Sequence, residues 1–210
     1  MRVERRTPAS KTPSRVSHGR IPLWIKILYS VFLCVFVPVY WRHYGAANFL
    51  WASDIALFVV FAALWSEAPL PNSMMAVGVL PFEIAWIMDF ASGSRLVGMA
   101  SYMFDSERPL YLRSLSLFHI ALPLMMIFLL RRLGYAPRAF AAQTLLTWVV
   151  LAVTYLVTDP VANINLAFGF GREPQTTIHP LSYLALEMIL LPAIVYWPTH
   201  LILQRLFGHR

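Results

Sequence analysis

The stretch IPLWIKILYSVFLCVFVPVY, residues 21–40, contains one charged side chain, Lys26, among its 20 residues. About 20 consecutive apolar residues form a helix long enough to cross the ~30 Å hydrocarbon core of a bilayer. Further apolar runs approach this length, and the full set is residues 21–40, 47–65, 73–90, 110–130, 139–157 and 181–203. The sequence therefore predicts an all-α integral membrane bundle of about six transmembrane helices.

The composition of the whole chain agrees with a membrane protein. Hydrophobic residues make up 59% of the 210 residues and charged residues 13%, whereas soluble domains carry about 25% charged residues. The net charge of +7 is concentrated at the amino terminus, because seven of the 17 basic residues are Arg2, Arg5, Arg6, Lys11, Arg15, Arg20 and Lys26. We therefore expect the lipid bilayer as the main partner and no nucleic-acid-binding face.

Charge and turn residues divide the chain into three parts. Residues 1–20 are predicted to form a basic, disordered cytoplasmic arm, residues 21–204 the six-helix domain, and residues 205–210 a basic cytoplasmic tail. The positive-inside rule places both termini in the cytoplasm, because that side then holds the arm, Arg131, Arg132, Arg138, Arg205 and Arg210. The outer loops then hold Arg42, Arg95, Arg108 and Arg172.

Prolines and turn residues give finer predictions within this frame. Pro81 lies inside the third apolar run, two residues before Glu83, and predicts a kink because proline has no backbone N–H to donate. Pro160 follows Asp159 and predicts a short helix that this aspartate caps. Residues 96–103 of the second outer loop predict a short surface helix.

Cys34 is the single cysteine of the chain, which excludes an intramolecular disulfide.

Polar residues inside the apolar runs need an explanation, because an ionised group in mid-membrane costs about 2.5 to 3.5 kcal/mol. They are Asp54, Glu83, Asp89, Arg113, His119, Gln143 and Glu187. In the topology above, several of them lie in the outer half of the membrane together with polar residues of the outer loops. This outer set is His43, Asp54, Asp89, His119, Asp159, Asn163, Asn165 and His179. We expect these side chains to converge on one outward-open cavity.

The leading hypothesis for this outer cluster is an enzyme that acts on a lipid or lipid-linked substrate. Asp54, His119 and Asp159 are the candidate catalytic acid/base groups. Imidazole and carboxylate are ligands that zinc or iron accepts, so the candidate cofactor is a divalent metal bound by His43, Asp54, Asp89, His119 and His179. The candidate substrate-binding residues are Arg113, Asn163, Asn165 and Tyr155. No spacing typical of a metal site occurs, so the convergence is inferred from membrane depth alone.

Two alternatives stay open. In a small transporter or channel, Glu83, Gln143 and Glu187 would continue the polar path through the inner half of the membrane. In a non-catalytic accessory subunit, the same groups would only hold helices together, for example through a pair between Asp54 and Arg113 or Arg42. The sequence does not predict an oligomeric state.

Several short motifs resemble signatures of a family of small, uncharacterised bacterial inner-membrane proteins. They are WRHYG (residues 41–45), NFLW (48–51), SD (53–54), YMFD (102–105), LFH (117–119), TDP (158–160) and NIN (163–165). The resemblance covers most of the chain after the basic arm. It implies a multi-pass protein of the bacterial inner (cytoplasmic) membrane and no particular activity.

Overall fold

The computed structural model describes residues 21–171 and 173–208, which form helices and loops and contain no strand. The predicted arm, Arg172 and the last two residues lie outside the described part. The α-helices are α1 Leu23–Tyr44, α2 Ala52–Ser66, α3 Pro69–Gly78, α4 Leu80–Ala91, α5 Leu110–Leu115, α6 Phe118–Leu133, α7 Ala139–Val157, α8 Pro180–Leu190 and α9 Trp197–Phe207. A π-helical segment, Leu191–Tyr196, joins α8 to α9. Short 3₁₀ turns are Ala46–Leu50, Ser101–Phe104, Pro160–Ala162 and Ile164–Leu166.

Within the described residues, four helical segments are long and apolar enough to cross a membrane, and a fifth is added if the bent pair α3 and α4 counts as one span. The four are Leu23–Tyr44, Leu110–Leu133, Ala139–Val157 and Pro180–Phe207. Large apolar side chains point away from the protein, as shown by Leu156 at 79% exposure and Leu124 and Ile189 at 64%. Such an exterior suits lipid tails rather than water, so the chain is an all-α membrane protein.

The third apolar run is a broken helix, as Pro81 predicts. The axes of α3 and α4 differ by 50°, and the break lies at Val79. Pro81 has no N–H to donate to the carbonyl of Val77, so the helix loses a hydrogen bond at this point. Both halves pack along α6, because Asn72 of α3 donates to the carbonyl of Met126 at 3.1 Å and Glu83 of α4 bonds to His119 at 2.7 Å. The pair therefore follows α6 over much of its length rather than turning back.

The second apolar run is shorter as a helix than its sequence suggests. Helix α2 has 15 residues, about 22 Å at 1.5 Å per residue, and a 3₁₀ turn precedes it. It lies against α1, because the Tyr29 hydroxyl donates to the carbonyl of Leu57 at 3.0 Å. Near its end, Glu67 pairs with Lys26 at 2.7 Å. The six crossings thus remain a prediction, since α2 falls short of a full span.

The longer loops gather at one end of the bundle, which we call the loop side. Here Asn165 of the last long loop bonds to the backbone of Leu50 and Ala52, and Arg108 donates to the Tyr44 hydroxyl at 3.2 Å. The short helix predicted after Pro160 is confirmed as a 3₁₀ turn, Pro160–Ala162. The surface helix predicted at residues 96–103 is wrong in position, because the loop forms one 3₁₀ turn at Ser101–Phe104.

The interior is tightly packed where α3 passes α7. A Cβ atom on Gly78, the last residue of α3, would lie 2.2 Å from Nε2 and 2.5 Å from Cδ of Gln143. Gln143 is 4% exposed and its amide donates to Thr147 at 3.1 Å, so it has little room to move. Glycine is therefore required at this contact.

We expect Gly78→Ala to destabilise the protein by about 1 to 3 kcal/mol, the usual cost of overpacking. The measurement is thermal unfolding of the purified protein in mild detergent. The double variant Gly78→Ala/Gln143→Ala, which removes the clashing side chain, should recover most of the loss. An unchanged midpoint in the single variant would contradict the contact.

Candidate functional site

An acidic side chain and a histidine bond to each other inside the bundle, and a second acidic side chain is buried in the same region. Asp54 lies in the first turn of α2, Glu83 in the first turn of α4, and His119 at the start of α6. The two acidic residues are each 2% exposed, and the His119 side chain is 14% exposed. Nδ1 of His119 lies 2.7 Å from Oε2 of Glu83, and Asp54 is near enough to Glu83 for their charges to repel each other. We call these three residues the acid/base cluster.

The position of each acidic group follows from the local fold. The N-terminus of a helix carries partial positive charge, and both carboxyl groups lie in the first turn of their helices. In α4 this N-terminus exists because the break at Val79 starts a new helix within the span. The break therefore supplies both the bend and a favourable environment for Glu83.

The imidazole of His119 is held in one orientation by its neighbours. It stacks between the rings of Phe118, at 4.1 Å between centroids, and Trp86, at 4.6 Å. Its Nδ1 is taken up by Glu83. Its Nε2 has no hydrogen-bond partner among the described side chains, so this atom is the one that can exchange a proton or meet a ligand.

Asp54 is positioned by the loops that precede its helix. Its Oδ2 accepts a hydrogen bond of 2.7 Å from Asn48, which lies in the 3₁₀ turn before α2. Asn165 fixes that junction, because its amide donates to the carbonyl of Leu50 at 2.7 Å and its oxygen accepts from the N–H of Ala52 at 2.8 Å. The partner of Asp54 is thus Asn48, and not Arg113 or Arg42.

Two tyrosines lie next to the acid/base cluster. The hydroxyl of Tyr40 lies 2.6 Å from Oγ of Ser116, which also donates to the carbonyl of Leu112. Tyr102, in the loop above, lies beside Ser116, and burial raises the pKa of its hydroxyl above the ordinary value. Tyr102 therefore stays protonated at neutral pH.

Asp89, a predicted metal ligand, organises a loop instead. Its Oδ1 accepts from the backbone N–H groups of Leu96, Val97 and Gly98, at 3.1, 2.8 and 3.1 Å. Its Oδ2 accepts from the Ser94 hydroxyl and from the N–H of Ala100 at 2.9 Å. With five donors around a fully buried carboxylate, Asp89 has no free position for a metal ion.

Three more of the predicted catalytic or metal-binding residues have local partners on the loop side. Asp159 caps its 3₁₀ turn by accepting from the N–H of Val161 at 2.9 Å. His179 caps α8 by accepting from the N–H of Leu181 at 3.3 Å. His43 bonds to the Tyr111 hydroxyl. All three predicted residues are exposed, unlike Asp54 and His119.

The predicted substrate-binding residues also serve the loops, with one exception. Asn163 is 3% exposed and donates to the carbonyls of Gly169 and Gly171 at 2.8 and 2.9 Å. Tyr155 stacks on Phe168, with 5.1 Å between ring centroids. Arg113 donates from Nη1 to the carbonyl of Met103 at 3.3 Å, while its Nε is buried without a partner among the described residues.

The predicted metal site is not assembled in residues 21–171 and 173–208. Nowhere in this part of the chain do three His, Cys, Asp or Glu side chains lie close enough to hold a metal ion together. The reason is that His43, Asp89 and His179 are engaged elsewhere, so equal depth in the membrane did not bring them to Asp54 and His119.

Glu83 is the member of the acid/base cluster to which the sequence gave least weight. Its expected place was the inner half of the membrane, but the structure pairs it with His119, which was assigned to the outer half. The signal was present in Pro81, since the break it causes turns Glu83 toward α6.

Comparisons with models of known protein families, with curated proteins and with solved structures found no match. Function is therefore argued from geometry.

Replacing Asp89 with alanine should destabilise the protein by more than about 2 kcal/mol, because buried donors would lose their acceptor. We expect a lower midpoint of thermal unfolding and faster proteolysis between residues 92 and 109. The matched control is Asp105→Ala, whose partner Arg108 lies 3.6 Å away in an exposed pair and should contribute less than about 1 kcal/mol.

Chelation separates this structural role from metal binding. If treatment of the wild-type protein with EDTA lowered the midpoint as much as Asp89→Ala does, Asp89 would be a metal ligand. A midpoint unaffected by EDTA supports the loop-organising role.

Proposed function

We propose that this chain is a small multi-pass transporter in which Asp54, Glu83 and His119 bind and release protons while a solute moves across the membrane. The observation that carries the proposal is the direct bond between Glu83 and His119, beside a second buried carboxyl group and one turn from a helix break. Ionisable groups inside a membrane are characteristic of proton relays in transporters.

Burial favours proton exchange over chemistry on a large substrate. Both carboxyl groups are 2% exposed, so a lipid head group would have to displace several packed side chains to reach them. A proton needs only a chain of hydrogen-bonding groups. Nε2 of His119 provides the entry point, because its other ring nitrogen is held by Glu83.

The broken third span gives the protein a suitable moving part. Transporters use discontinuous helices whose ends face the transported ion or solute. Here the break starts α4 and places Glu83 near its N-terminus. Each proton gained or lost by the acid/base cluster changes the charge buried at that point, and a change in buried charge shifts the balance between conformations.

The proposal includes the predicted topology and location. Six crossings with both termini in the cytoplasm would direct the loop side to the periplasm of a bacterium. The distribution of charge supports this orientation, because the end opposite the loop side carries Lys26, Arg131, Arg132, Arg138 and Arg205. The motif resemblance to bacterial inner-membrane proteins supports the location.

A pH jump applied to proteoliposomes on a solid-supported membrane should produce a transient current, because protonation of buried groups displaces charge. We expect Glu83→Gln and His119→Gln to reduce this current at least about tenfold. The controls are His43→Gln and His179→Gln, which alter exposed histidines on the loop side and should leave the current unchanged.

Two results would count against this function. One is a wild-type current no larger than that of empty liposomes. The other is a set of variants that unfold at lower temperature yet keep the current, which is what an accessory subunit with purely structural polar groups predicts.

An enzyme acting on lipid is the second candidate, and the orientation of His119 favours it. A carboxylate bound to one imidazole nitrogen is a common way to prepare the other nitrogen as a general base. The unpaired Nε of Arg113 is a contact for an anionic head group.

Mass spectrometry of defined bilayer lipids after incubation with proteoliposomes distinguishes the two functions. The enzyme requires a new lipid product that His119→Gln abolishes and Arg113→Gln reduces. The transporter requires the pH-jump current without any product.

A further inference from the structure

A second polar cluster lies between α7 and the last helical segments, apart from the acid/base cluster. Gln143 donates from Nε2 to Oγ1 of Thr147 at 3.1 Å, and Thr147 lies 2.9 Å from the Tyr196 hydroxyl. The residue after Glu187 accepts a hydrogen bond at its carbonyl from the residue after Thr147, so Glu187 lies beside this part of α7. Gln143, Thr147, Glu187 and Tyr196 thus form one polar region between α7 and the last helical segments.

Two of these oxygen atoms lack hydrogen-bond donors. Oε1 of Gln143 and Oε2 of Glu187 are buried, and neither has a partner within residues 21–171 and 173–208. Gln143 is 4% exposed, so water outside the protein does not replace the missing donor. Since buried polar groups in native proteins are nearly always paired, two such acceptors in one cluster indicate a ligand that supplies positive charge or donors.

The helix break between α3 and α4 lies beside this cluster. The side chain of Gln143 lies on Gly78, where α3 ends, and the C-terminal carbonyl groups of a helix carry partial negative charge. Pro81 provides no N–H, so the carbonyl of Val77 cannot receive the usual helical hydrogen bond from it. Ends of broken helices and unwound carbonyls are the groups that coordinate small cations in transporters.

The last span is also irregular at this level. It winds as a π-helix over Leu191–Tyr196, and such segments are frequent at functional sites. Pro192 deprives the carbonyl of Met188 of its helical donor, and Trp148 of α7 supplies one from Nε1 at 2.7 Å. The backbone is thus satisfied here, while the side-chain acceptors of the cluster are not.

The charge of the cluster selects the class of ligand. It holds one carboxyl group and otherwise neutral oxygens, and no Lys, Arg or His of the described residues pairs with Glu187 or bonds to the other three. Hard cations take oxygen ligands, and a single negative charge is balanced by a single positive one. We propose that Gln143, Thr147, Glu187 and Tyr196 bind a small monovalent cation.

The cation site stands on this geometry alone, and only its coupling to protons rests on the proposed function. In that combination the protein would exchange a cation for protons. The break between α3 and α4 would link the sites, because Gly78 contacts Gln143 and Glu83 belongs to the acid/base cluster.

Thermal unfolding of the full-length protein in detergent tests the cation site directly. Sodium, potassium and ammonium chlorides are each compared with choline chloride at equal ionic strength. A bound cation raises the unfolding midpoint by roughly 5 °C at a concentration about 100-fold above its Kd. The sodium and potassium arms identify an alkali cation, and the ammonium arm identifies an ammonium-type ligand.

Glu187→Gln and Gln143→Leu should abolish the cation-dependent rise. Glu187→Gln keeps the shape of the side chain and removes its charge, so its midpoint in choline should equal or exceed that of the wild type. The matched control, Glu173→Gln, changes an exposed loop carboxylate and should preserve the rise.

Equal midpoints in all four salts, or a rise that survives in both variants, would overturn the cation site. The pH-jump current separates this result from a failure of the proposed function, since Glu187 is not a member of the acid/base cluster. A current without a cation effect removes the cation site alone. A cation effect without a current leaves a cation-binding protein and removes proton coupling.

Discussion

The hydrogen bond between Glu83 and His119 joins α4, the second half of the broken apolar run, to α6 inside the bundle. A carboxyl group in a membrane needs a partner, and Glu83 finds one because α4 runs beside α6. The stacked rings of Trp86 and Phe118 keep the imidazole at the height of the carboxyl group. A histidine here thus ties α4 to α6.

Several polar residues on the loop side support the acid/base cluster by holding loop backbone in place. Asp89 gathers the backbone of the loop after α4, and Asn165 fixes the start of α2, where Asp54 lies. In a membrane protein, such side chains satisfy backbone groups that would otherwise be unpaired close to lipid. Their chemistry resembles that of ligands, which is why the sequence alone assigned them to a binding role.

The sequence predicts the parts of this fold that depend on local composition. The apolar run at residues 139–157 matches α7, and Pro81 marks the break in the third span. The short length of α2 was missed, because apolar residues continue through the turn before it. Pairing between helices was also missed, since depth in the membrane restricts which residues can meet but rotation about each helix axis decides which do.

The break between α3 and α4 lies between the two polar clusters and gives them a physical connection. Coupling between sites requires an element with two arrangements that both sites can bias. On one side of the break Glu83 bonds to His119, and on the other Gly78 packs against Gln143. Because a packed interface passes small displacements on to its neighbours, a change in the bend would alter the Gln143 contact and the Glu83–His119 bond together.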